Sequence, residues 1–280
     1  MQAVFPPELE REIFEHTALV SPQSIPLLIR VARRVYIWVE PLLYRVIRIG
    51  EHKDAVAALY TLLERGKPAD FFHQAVHHLT LETTHSIGKS TDLLRLCTGV
   101  RNFGCANLTL SFSILPIIAG MHQLRRFSGN LQTLFGNVES INFGVPALQS
   151  LTHLDMFDAS WDAPTLIAAL PQLQALTHLC LNTDYWDSRH DVLSACHSSL
   201  QLLLFQWSIT FSSDGDSEYD DIKDDSGVQD ARIVVGLYDE YFDEWEAEAR
   251  GSSTRIWAEA EDFVAKKQRG EIEATRFWIH

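Results

Sequence analysis

One short pattern recurs six times along the middle of the chain at a nearly fixed interval. The copies are Val76-His-His-Leu79-Thr-Leu81, Val100-Arg-Asn-Phe103-Gly-Cys105, Leu124-Arg-Arg-Phe127-Ser-Gly129, Leu151-Thr-His-Leu154-Asp-Met156, Leu176-Thr-His-Leu179-Cys-Leu181 and Leu200-Gln-Leu-Leu203-Leu-Phe205. Their fourth positions fall at 79, 103, 127, 154, 179 and 203, so the unit is 24–27 residues long. Alternating apolar positions within each copy make a short strand with one face inward. Helix-like stretches follow at 92–97, 114–122, 164–170 and 190–197. A unit of one strand and one helix cannot bury its apolar face alone, and stacking on its neighbours does so.

The pattern L-x-x-L-x-L at this period resembles a leucine-rich repeat. The family's asparagine after the strand is missing, since Asn107 and Asn182 stand at inconsistent offsets. The resemblance therefore implies an irregular leucine-rich-repeat solenoid of the α/β class, with short parallel strands plus helices. It would span 76–237. An ordinary sandwich of βα units is the competing architecture, and five near-equal steps speak against it. Leu154 and Leu179 are expected in the core. His153 and His178 occupy equivalent repeat positions and are expected about 5 Å apart on the solvent face, with Asp155 beside them. His78, Thr80, Asn102, Arg126, His153, Asp155 and His178 together form the expected face for a protein substrate. The histidine pair is read as part of that binding surface, with no metal or other cofactor assigned.

Residues 4–48 read as compact helices. Pro6 and Pro7 open the first, where a missing N–H costs nothing. Leu9, Ile13 and Phe14 recur at helical spacing. Ser21-Pro22 breaks the helix, and Ser24 is the expected N-cap of the next. Leu27, Leu28, Val31, Val35 and Trp38 form its apolar stripe, and Pro41 ends it. The series Phe5-Pro6-Pro7-Glu8-Leu9, Glu12-Ile13-Phe14, Leu28 to Trp38 and Leu42-Leu43-Tyr44-Arg45 resembles the F-box-like starts of large fungal protein families. Where usual F-boxes carry an acidic or polar loop and an Asp-Leu pair, Ser21-Pro22-Gln23-Ser24 stands here. The resemblance implies docking to a Skp-type adaptor of a cullin-RING ubiquitin ligase. The contacts it implies are Phe5, Pro6, Leu9, Ile13, Leu27, Leu28 and Val31. The alternative is a ligase-independent scaffold whose N-terminal helices only cap the solenoid. Residues 49–75 read as linking helices, and 238–280 as a C-terminal helical cap over the last repeat's edge. Glu240 to Ala249 and Thr254 to Arg269 are its helices, with Gly251 and Gly270 as C-caps and Lys266, Lys267 and Arg269 at the negative end of the second.

Charge narrows the function classes. The net charge is −14, and residues 214–262 carry 17 acidic against 4 basic side chains. An acidic chain without a basic stripe is a poor ligand for phosphate backbones, so no nucleic acid is expected. Apolar runs stop short of the roughly 20 residues a bilayer requires, and no signal peptide is read. Cytoplasm or nucleus is the expected address. Cys97, Cys105, Cys180 and Cys196 form no C-x-x-C pair and are expected as reduced, mostly buried thiols. The acids from Asp214 to Asp225 only partly match a calcium loop, with Tyr219 where the turn glycine belongs, and 207–230 is read as a solvated acidic insertion. His73 and His77 are four apart with Gln74 and Ala75 between and no third ligand placed. No Ser/His/Asp set, nucleophile elbow, P-loop or Rossmann glycine pattern occurs, so no catalytic residue is assigned.

Overall fold

The computed structural model describes residues 5–49, 61–82, 87–105, 114–158, 163–196, 198–208, 222, 227, 229–238, 241–251 and 256–279. Its frame is an eight-stranded parallel sheet with the strands in sequence order. Helices α1 (Pro7–Val20), α2 (Ile25–Leu28) and α3 (Arg33–Val39) come first. Strand β1 is Val46–Ile49, and helix α4 is Ala69–Ala75. Strands and helices then alternate: β2 (His78–Leu81), α5 (Ile87–Leu96), β3 (Asn102–Cys105), α6 (Leu115–Ile118) and β4 (Arg126–Gly129). After α7 (Leu131–Phe135) and α8 (Pro146–Gln149) come β5 (His153–Met156), α9 (Ala163–Ala169), β6 (His178–Asn182) and α10 (Arg189–Ala195). Strands β7 (Leu202–Ser208) and β8 (Ile233–Tyr238) precede helices α11 (Tyr241–Ala249) and α12 (Ile256–Gln268). A crossover segment between parallel neighbours is what this topology demands, since a tight turn can join only antiparallel strands.

The residues aligned by the repeat are partners in the sheet. Leu79, Phe103, Phe127, Leu154, Leu179 and Leu203 stand in register on consecutive strands, with Ile47 before them and Ile233 after. All are buried, and they form one core with the helices on that face. Phe103 and Phe127 stack at 6.1 Å between ring centroids. Each strand is seated the same way. The amide N–H of His78, Asn102, Arg126, His153, His178 and Leu202 donates to a carbonyl just ahead of the preceding strand, at 2.9–3.2 Å. Asp158 ties neighbouring units together across the main-chain ladder. Its carboxylate accepts from the Leu131 and Gln132 N–H groups at the start of α7, both at 2.8 Å, which satisfies donors a helix N-terminus leaves open.

Several expectations change. The 1–48 unit ends inside the sheet: Val46 and Ile47, where the sequence turns β-like after Tyr44, belong to its first strand. The single helix expected from Ser24 to Glu40 is two, because Ala32 is extended at φ −160°, ψ 156°. The break lets Ile25 of α2 and Val35 and Val39 of α3 reach Ala18 of α1 in a small separate core. Ser24 does not cap; its hydroxyl donates to the Ser21 carbonyl instead. Lys267, expected at the outer end of α12, turns inward, and its Nζ donates to the Ile233 carbonyl at 2.8 Å. Val56, Leu59 and Tyr60, and nearly all of the acidic stretch from Asp214 to Asp225, lie outside the described residues. Ile222 is described, and it is buried in the main core. A wholly solvated insertion is therefore wrong at that position. Ile222→Ala is expected to cost about 2 kcal/mol or more, read as a shift of the urea midpoint at unchanged slope.

Edge protection also differs from expectation. Residues 277–279 run beside β8, with Val235 N–H donating to the Phe277 carbonyl and Ile279 N–H to the Val235 carbonyl. These residues, and not the two C-terminal helices, pair with the last strand. The left-handed glycines Gly251 (φ +91°) and Gly270 (φ +73°) stop α11 and α12 as the sequence implies. Among the described residues no helix is long and apolar enough to cross a membrane.

Candidate functional site

Side chains on the sheet face opposite the main core form two rows. The first contains His78, Asn102, Arg126, His153 and His178, partners on five consecutive strands. The second contains Thr80, Gly104, Ser128, Asp155 and Cys180. All seven residues expected on the substrate face are thus brought onto one surface. That surface is not open to solvent. Thr80, Asn102, Asp155 and His178 are buried, because α11 and α12 lie across it. The solvent-facing placement of His153, His178 and Asp155 is corrected accordingly.

The contacts that close the face are specific. From α11, the Trp245 indole N–H donates to Asn102 Oδ1 at 3.2 Å. Gly104 makes room for it: a Cβ there would stand 2.9 Å from Thr80 Oγ1 and 3.6 Å from the indole nitrogen. The Tyr241 hydroxyl donates to Asp155 Oδ2 at 2.5 Å, and Ser128 Oγ donates to the same oxygen at 2.9 Å. Burial pushes Asp155 up to about 6, against the pull of those two donors. Arg126 pairs with Glu248, and Arg48 of β1 pairs with Glu82 and Asp243. The acidic C-terminal segment thus meets the arginines of the sheet.

Helix α12 covers the other end. Trp257, Ala260, Phe263 and Val264 pack on Cys180, Leu202, Leu204 and Val234 in a second apolar core. Trp257 also stands edge-on to both histidines, at 5.3 Å from His153 and 5.5 Å from His178. The two imidazoles stack in parallel with centroids 4.1 Å apart, closer than the strand spacing suggests. Their Nδ1 atoms lie 2.9 and 2.8 Å from the hydroxyls of Thr152 and Thr177. Glu261 of α12 approaches His178 Nε2 at 3.0 Å. Burial holds His153 down to about 2 and also lowers His178, so both rings are neutral at pH 7. His153, His178 and Glu261 are the residues here that could hold a metal, with donor atoms within 4.8 Å of one another.

Sequence reasoning missed Tyr241, Trp245, Glu248, Trp257 and Glu261. One signal was available: lone tryptophans in strongly acidic helices that need an apolar surface to lie on. His73 and His77 are half-buried, and His73 Nδ1 meets Thr98 Oγ1 at 3.0 Å. All four cysteines are free. Burial pushes Cys97 up to about 12 and Cys196 up to about 11, so neither is a ready thiolate.

The residues expected to meet an adaptor sort clearly. Phe5, Leu9, Ile13, Leu27 and Val31 are 54, 49, 50, 68 and 61% exposed, and Pro6 is exposed as well. Leu28 instead packs against the small core around Ala18. Glu10 and Arg34 join α1 to α3 through two hydrogen bonds of 2.6 and 3.0 Å. Between this helical group and the end of α11 lies a cleft of about 460 Å³, whose lining includes Leu19, Pro22, Arg45, His78, Arg126 and Arg250. No protein-family model matches the chain, and no curated protein is significantly similar to it.

Proposed function

We propose that this chain is a recognition subunit without catalytic residues of its own. Its F-box-like N-terminal helices dock a Skp-type adaptor of a cullin-RING ubiquitin ligase, and its leucine-rich-repeat-like solenoid holds a protein substrate. One observation carries the reading. A helical group with its own closed core leaves seven large apolar side chains, Phe5, Leu9, Ile13, Val20, Leu27, Val31 and Ile37, about half or more in water, and five of them are residues the resemblance assigns to the adaptor. Lone exposed leucines are ordinary, but several on neighbouring short helices suit a partner's apolar surface. Leu9 and Ile13 are four residues apart and so share one side of α1, with Phe5 just ahead of the helix start. With α11 and α12 over the strand face, substrate contact falls to the cleft beside them, where His78, Asn102 and Arg126 remain part of the lining. Of its arginines, Arg126 and Arg250 are paired with Glu248 and Glu246, and Arg45 is the one that suits an acidic group of a substrate.

The test is a pull-down of the purified full chain with a Skp-type adaptor. Leu9→Ala with Ile13→Ala is expected to weaken capture more than tenfold, since central anchors of such interfaces cost about 2 kcal/mol or more. The thermal melt should barely move, because both side chains are exposed. Leu28→Ala should do the reverse and lower the melt first. If wild-type protein captures no adaptor at micromolar concentration, the ligase reading fails and the scaffold reading replaces it. The direct entry of β1 into the sheet fits that second reading, because it joins the helices to the sheet without a linker.

A further inference from the structure

We propose that His153, His178 and Glu261 form a divalent transition-metal site, best suited to Zn²⁺, that fastens helix α12 onto strands β5 and β6. The inference stands apart from the adaptor reading and does not depend on it.

Hydrogen bonding fixes which ring nitrogens are available. Thr152 Oγ1 donates its one proton to the Arg125 carbonyl at 3.1 Å, and Thr177 Oγ1 donates to the Thr152 carbonyl at 3.0 Å. With its proton given to the carbonyl, each hydroxyl accepts from the adjacent imidazole, whose Nδ1 then carries the hydrogen. Both Nε2 atoms are left as lone pairs. That is the tautomer of a metal-bound histidine, held by an outer-shell oxygen on the opposite nitrogen. Both Nε2 atoms are buried and have no hydrogen-bond partner.

The surroundings of those lone pairs ask for a positive charge. His178 Nε2 and Glu261 Oε1 face each other at 3.0 Å, outside hydrogen-bonding geometry. An imidazole lone pair against a carboxylate oxygen at that distance is repulsive unless a cation lies between them. A metal supplies it while leaving Nδ1–H in place. One donor from each of the three residues lies within 4.8 Å of the others, and no other such trio occurs among the described residues. Zinc bonds of about 2.0–2.2 Å would draw those donors to roughly 3.3 Å from one another. The parallel rings must tilt open to converge. The Glu261 side chain is 52% exposed and free to follow, which also leaves the fourth position open to water. Two imidazoles and a carboxylate favour Zn²⁺ over the oxygen-seeking Ca²⁺ or Mg²⁺.

Zn²⁺ titrated calorimetrically into the chelator-stripped full chain is expected to bind at one ion per chain with a Kd of about 10 μM or below. It should raise the melting temperature, because the ion joins two elements of the folded state. Co²⁺ in its place should give the intense visible bands of a tetrahedral site. Glu261→Gln and His153→Gln, each checked for native circular dichroism, should each weaken Zn²⁺ binding at least tenfold and abolish the melting shift. Glu261→Gln keeps the shape of an exposed side chain, so folding does not confound it. The proposal is overturned if no 1:1 binding is seen below about 100 μM. It is also overturned if either variant binds as the wild type does, since the ion would then sit elsewhere, for instance on the acids of 214–225.

Discussion

Leu154→Ala is expected to destabilise the folded chain by about 2–5 kcal/mol, toward the upper end of that range. Leu154 is fully buried in the middle of the core row, between Phe127 on one strand and Leu179 on the next. The cost of such a truncation depends on how well the site can collapse around the void. Here collapse is hindered. Adjacent strands are pinned about 4.8 Å apart by their hydrogen bonds, so Phe127 and Leu179 cannot close in without breaking the ladder. The residual cavity therefore adds its full penalty to the lost transfer energy. Urea melts of the two proteins measure the difference. A loss under about 0.5 kcal/mol, the scale of a surface substitution, would show that this row is not the core. His153→Ala, read from sequence alone, would be such a surface change. Under Trp257 and with Nδ1 bonded to Thr152, it is expected to cost about 1 kcal/mol or more.

The contrast between Leu154 and His153 shows what the sequence carried. Strand register was legible because side-chain direction alternates with period two, and a slip of one residue would have put every aromatic of the core row on the wrong face. The six aligned positions from Leu79 to Leu203 are partners for that reason. The same alternation placed His78, Asn102, Arg126, His153 and His178 together on the other face. It could not say what lies above that face. The covering helices begin 59 residues or more after β6 ends, and their hold on the sheet rests on two tryptophans, a tyrosine, several ion pairs and the apolar side of α12. The α12 residues Trp257, Ala260, Phe263 and Val264 recur at helical spacing and mark an apolar face, but that spacing does not name the surface it meets. The acidic excess of 214–262 read as a solvated surface, yet Asp243, Glu246 and Glu248 are spent on Arg48 and Arg126. Charge counts give a sign and not a partner. The break at Ala32 was hidden for a related reason: no proline or glycine marks it, and it follows from three short helices sharing one small core.

His78 supplies the second large expected effect. It lies in the first polar row, half-buried beside Trp245, with ring centroids 6.5 Å apart. Burial, reinforced by Arg45, His77, Arg126 and Arg101, holds its pKa down to about 3 from an ordinary value of 6.5. The folded state therefore keeps His78 neutral where the unfolded chain would protonate it. Between about pH 6.5 and 3 the unfolded state binds one more proton at this residue. Stability then rises with pH through that window and is lost as pH falls through it. The contribution is complete above 6.5. Each pH unit below that value removes about 1.4 kcal/mol, so at pH 4.5 the loss from His78 alone is about 3 kcal/mol. Asp155 works in the opposite sense. Its folded pKa of about 6 lies above the ordinary 3.8, so it gains a proton on folding between those values and offsets part of the loss. A single histidine is isolated by comparing slopes. Plotted against pH from 4 to 6, the unfolding free energy of His78→Gln should rise about 1.4 kcal/mol per unit less steeply than that of the wild type. Chelator in both samples keeps metal linkage out of the difference. Parallel slopes would mean that His78 titrates normally in the folded protein, and so that water reaches the sheet beneath Trp245.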